Sequence, residues 1–111
     1  MISTVLALAL AAAGPSPDAL VRARKAYSAC LGGFMKKSVA DKLAVDAFAA
    51  ALTPACAAQE QAFRSAVVAS DTAAGIKRAS AEANAASEIQ DMIANTKDSF
   101  EGYSAPAKPQ S

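Results

Sequence analysis

The groups that could do chemistry in this chain of 111 residues are two cysteines, ten carboxylates and eleven cationic side chains; histidine is absent. Cys30 and Cys56 are the most informative. A compact helix between them brings the two sulfurs into range, and closing a loop of that length removes denatured-state entropy worth about 3 to 4 kcal/mol in the chain-entropy model. The expectation is therefore a structural disulfide. Redox chemistry is the rival, because a helix N-terminus at Cys56 favours a thiolate, but the C-x-x-C spacing is missing. Zinc is weaker still, since two sulfurs without histidine leave a tetrahedral site short of ligands. No metal and no cofactor are expected.

Glu82, Glu88, Asp91 and Asp98 offer carboxylates for acid/base or metal chemistry, with Glu88 and Asp91 at i, i+3 on one helical face. The simpler expectation is a solvated helix face, and no catalytic residue is assigned. Charge is unevenly spread. Between Gly14 and Lys37 stand Arg22, Arg24, Lys25, Lys36 and Lys37 against Asp18 alone, a sum of +4. From Ser38 onward six cations face nine carboxylates, a sum of −3. These five basic residues are the candidate contact with an anionic surface, such as a lipid headgroup, an envelope glycolipid or an acidic partner. A net charge of +1 and the lack of interleaved aromatics argue against nucleic acid.

The elements that must position these groups are helical. Apolar content is 53%, much of it alanine, which favours helix and adds little buried area. Ser16-Pro17-Asp18 predicts a helix start, and Leu20, Ala23, Tyr27, Cys30, Leu31 and Phe34 form its buried stripe, with Gly32-Gly33 ending or loosening it. Ser38 and Asp41 predict a capped second helix from Val39, and Thr53-Pro54 a stop and a fresh start, so that the third helix opens at Pro54. A break is expected near Ser70. Beyond it Ile76, Ala79, Ala83, Ala86, Ile89, Ile93, Thr96 and Phe100 make a narrow stripe of mostly small residues. Because the large side chains crowd into the first half, residues 70–100 are expected to open more easily than the rest. The fold class expected is all-α, a small alanine-rich bundle of three to four helices with one disulfide.

Residues 1–13 read as an export signal: an apolar run of about twelve residues, too short for a span of about 20, ends in Ala11-x-Ala13. No Lys or Arg precedes the run, and the competing reading is an ordinary apolar helix. The division expected is a signal peptide at 1–13, a helical domain at 14–101 and a disordered tail at 102–111. Paired cysteines suit the same oxidising destination, periplasmic or secreted.

With its leader, the Tyr27-x-x-Cys30-Leu31 segment, and Cys56 followed by Glu60 and Phe63, the chain resembles small uncharacterised exported proteins of Gram-negative bacteria. The resemblance spans Leu20 to Tyr103. It implies a periplasmic cysteine-pair helical protein and brings no activity or site residue with it. The functional expectation is a non-enzymatic periplasmic interaction or structural module, its partner an envelope protein or a second copy of itself. The alternative is binding to a membrane surface or anionic glycolipid through the basic first half.

Overall fold

The structure, a computed structural model, describes residues 17–104. The proposed leader 1–13, the Ser16 cap and residues 105–111 of the proposed tail lie outside them. Among the described residues four helices follow in order: α1 Pro17–Ala40, α2 Val45–Ala55, α3 Ala57–Ala73 and α4 Arg78–Ser104. The all-α bundle with one disulfide is therefore present.

Helix boundaries differ from expectation in ways that have local causes. α1 runs through Gly32-Gly33 and ends only at Ala40, with Ser38 buried in its last turn rather than capping a new helix. The glycines cost roughly 1 kcal/mol each against alanine. Tyr27, Leu31 and Phe34, packed on either side of them, hold the helix straight through. The end at Ala40 is a Schellman motif: the Leu43 amide donates to the Ser38 carbonyl at 3.0 Å and the Lys42 amide to Val39 at 3.1 Å, with Lys42 at φ 56°. The second helix thus begins at Val45, not Val39.

Pro54 lies inside the last turn of α2, and α3 begins at Ala57 rather than Pro54. Proline removes the N–H that would bond the Ala50 carbonyl, and the chain bends two residues later, at Cys56. α3 then continues past Ser70 to Ala73. Its stop is a second Schellman motif, with Gly75 at φ 91° and the Ile76 amide on the Asp71 carbonyl at 3.0 Å. Here glycine is the residue that takes the left-handed conformation without a Cβ clash. α4 extends through Gly102 to Ser104, so the expected tail begins within a helix.

α2 and α3 run end to end and form one layer; α1 and α4 form the other, and each helix of the first layer packs on both helices of the second. Tyr27 stacks on Phe63 at 5.9 Å between ring centres, and Phe48 lies between Phe34 at 5.7 Å and Phe100 at 4.0 Å. α4 is docked along its length. Its buried residues are Ala81, Ala85, Ile89 and Phe100, whereas Ile76, Ala79 and Ala83 of the expected stripe face solvent. The phase was set by the small side chains that α3 accommodates, a choice that the alanine-rich pattern leaves open.

The buried Tyr27 phenol has Glu60 as its hydrogen-bond acceptor at 3.5 Å. Burial, and then the Glu60 charge, push its pKa up to about 12. The folded state therefore holds this proton more tightly than the unfolded chain, where a tyrosine titrates near 10. The resulting stabilisation is complete below about pH 10 and is lost as pH rises through about 12. Tyr27→Phe is expected to flatten that alkaline loss, as read by melting temperature between pH 9 and 12.

Candidate interaction surface

Both cysteines sit where two helices need a tie. Cys30 is in the middle of α1, half-buried, and Cys56 is the fully buried joint between α2 and α3, where no side chain caps the start of α3. They are joined as a disulfide, with Cα atoms 5.9 Å apart and a sequence separation of 26. The bond fixes the joint of one layer to the centre of the other.

The five basic candidates separate into two groups. Arg24 turns toward α4: its Nη2 donates to the Glu88 carboxylate at 2.7 Å, and the guanidinium lies 5.2 Å from the Phe63 ring centre. It is a packing residue of the α1–α4–α3 junction. Arg22, Lys25, Lys36 and Lys37 are exposed and make no ion pair with another described residue. At 3.6 residues per turn they spread over an exposed arc of about 120° of α1 that also carries Ala26, Ala29 and Gly33, from Lys25 at one edge to Lys37, beside the Cys30 side, at the other. Asp18 sits one turn before them, and no carboxylate follows until Asp41.

The acidic candidates also divide. Glu88 is taken by Arg24 and Glu82 by Arg78 at 3.2 Å, so Glu88 does not share an outward face with Asp91. Asp91 and Asp98 are exposed and without a cationic partner, as is Glu101, which sequence reasoning passed over. Their spacing of seven and three carried the signal. Together with the exposed Ser87 and Ala94 they form the outward face of α4. No group of three or more metal-ligating side chains occurs among the described residues.

Between the two faces runs the seam of α1 and α4, a groove of about 260 Å³ lined by Ser28, Leu31, Gly32 and Met35 on one side and Met92, Asn95, Thr96 and Ser99 on the other. Arg24 meets Glu88 near one end and Met35 and Lys36 approach Tyr103 near the other, so α1 and α4 run parallel. No known family model, curated protein or solved structure matches this chain. On the side of the α1–α4 layer away from α2 and α3, helical phase places Lys25 and Lys36 on α1 and Asp91 and Asp98 on α4, whereas Lys37, seven residues after Cys30, lies toward the side of α1 that the disulfide ties to Cys56, and Arg22 lies at the edge of α1 away from α4. No helix among the described residues is long and apolar enough to cross a membrane.

Proposed function

We propose that this chain is a non-enzymatic interaction module of an oxidising compartment, periplasmic or secreted, and that the outer face of the α1–α4 layer is its contact surface. The observation that carries the reading is the set of unpaired charges there, Lys25 and Lys36 on α1 and Asp91 and Asp98 on α4, flanked at the edges by Arg22 and Glu101. Charges left without partners on a rigid scaffold steer and orient a partner of complementary sign. The disulfide supports the compartment, because such bonds persist where thiols are not kept reduced. A photo-crosslinker placed at Ala29 or Ala94 in the native host is expected to give discrete protein adducts. The same group at Ala50 or Ala58, exposed on the opposite layer, should give few. Equal labelling at all four positions would defeat the reading.

The row of basic residues on one face of α1 also favours a second reading, attachment to an anionic membrane surface. Four such residues near a charged bilayer are worth about 1 kcal/mol each, so K25E/K36E/K37E should weaken vesicle binding about 100-fold or more at low salt. If the unaltered protein does not sediment with vesicles containing phosphatidylglycerol at low ionic strength, this second reading is lost.

A further inference from the structure

We propose that this chain pairs with a second copy of itself in a two-fold dimer, the basic face of α1 in each copy lying on the acidic face of α4 in the other. The inference rests on the contact surface proposed above and names its partner. The two faces carry opposite charge at matching heights.

The register follows from the α1–α4 packing within one copy. Arg24 meets Glu88, an offset of 64 positions along parallel helices. Lys25 is then level with Ile89, two residues and about 3 Å short of Asp91 at 1.5 Å per residue. Lys36 is level with Phe100, between Asp98 and Glu101, while Lys37, although level with Glu101, is turned toward the Cys30 side of α1. Lys25 and Lys36 thus stand at heights where α4 carries a free carboxylate within a side chain's reach, whereas Arg22 is level with Ala86, about 7.5 Å short of Asp91. Between Lys25 and Lys36 the α1 face carries Ala29 and Gly33, and between Asp91 and Asp98 the α4 face carries Ala94, so two backbones can approach closely.

Symmetry then selects the arrangement. Two such layers can face each other about a two-fold axis across the helices or along them. An axis across the helices puts α1 on α1 and α4 on α4, basic against basic and acidic against acidic. An axis along the helices puts each α1 on the partner's α4, with no shift in height, and the charges meet. The resulting four-helix interface is all parallel, centred on the Ser28, Gly32, Asn95 and Ser99 seam. Within one copy the two faces point away from the seam and do not satisfy each other, which is what leaves them available.

Light scattering on the full oxidised chain tests this. A dimer is expected at about 0.01 M ionic strength, where screening reaches about 30 Å, and a monomer at about 1 M, where it reaches about 3 Å. K25E/K36E alone and D91K/D98K alone should each be monomeric at low salt, with dimerisation weakened by at least about 100-fold. Mixed together they should form a one-to-one dimer, because each basic or acidic face then meets its opposite again. The altered positions are exposed, and unchanged circular dichroism verifies folding; were a variant unfolded, the mass of the unaltered chain at the two salt concentrations would still decide. A monomer at low salt, dimers in either single variant, no recovery on mixing, or species larger than a dimer would each overturn the proposal. A monomeric protein that still gives crosslinks to another protein from Ala29 and Ala94 would overturn self-pairing and leave the interaction-module reading standing; the loss of both would remove both.

Discussion

Changing both Cys30 and Cys56 to alanine is expected to lower the stability of the domain by about 3 to 4 kcal/mol, the chain-entropy value for a loop of this size. For a domain of this length that corresponds to a fall of roughly 12 to 30 °C in melting temperature. The geometry argues for the full effect. Cys56 is fully buried at the joint of α2 and α3, and the start of α3 there has no side-chain cap. Opening the bond therefore frees the one position where the second layer bends, besides enlarging the unfolded ensemble. Reduction of the unaltered protein should reproduce most of the loss. Thermal melts followed by circular dichroism, with and without reductant, check it; superimposable curves would mean that packing alone holds the joint.

Phe48→Ala is expected to cost about 3 to 5 kcal/mol, as large as the loss of the disulfide. Phe48 is fully buried in α2, with its ring between Phe34 of α1 and Phe100 of α4. It is the one side chain in the aromatic stack that touches both helices of the opposite layer through their rings. Its removal leaves a cavity whose two walls belong to different helices, so neither can collapse into it without moving a backbone. The far half of α4 should loosen first. Hydrogen exchange in Phe48→Ala is expected to speed up at Ile93 to Phe100 before Ala81 to Ile89, which is held by α3. Val21→Ala, at an exposed position, serves as the control and should change stability by less than about 0.5 kcal/mol. Uniform acceleration across α4 would show that the aromatic stack is not its local anchor.

That anchor also revises the expected division between a firm first half and a loose second half. By residue type alone, alanine in the second half is a deficit of packing. Ala81 and Ala85 are nonetheless fully buried, because a small side chain lets α4 come close to α3, while Ile89 and Phe100 supply the large contacts further on. A count of large residues along the chain misses close approach, which depends on what lies opposite.

The sequence by itself determined that this protein is helical, since alanine and the 3–4 spacing of Leu20, Tyr27, Leu31 and Phe34 are local properties of one strand of chain. It also pointed to the cysteine pair, because the cost of closing a loop depends on its length alone. It located the charge split between the two ends in the same way. Helix boundaries were only partly legible. Gly75 ends α3 through a Schellman motif as its residue type allows, but Lys42 does the same with no such signature, and Gly32-Gly33 ends nothing because Tyr27, Leu31 and Phe34 bury against other helices on both sides. Tertiary structure alone decided which charges are spoken for. Arg24 and Glu88 look like members of a basic cluster and an acidic cluster, yet they face each other at 2.7 Å across the seam, while Lys25, Lys36, Lys37, Asp91, Asp98 and Glu101 remain outside. The reason is rotational. A helix places each residue 100° from the last, so neighbours in sequence point in different directions, and only the position of a second helix settles which of them find a partner.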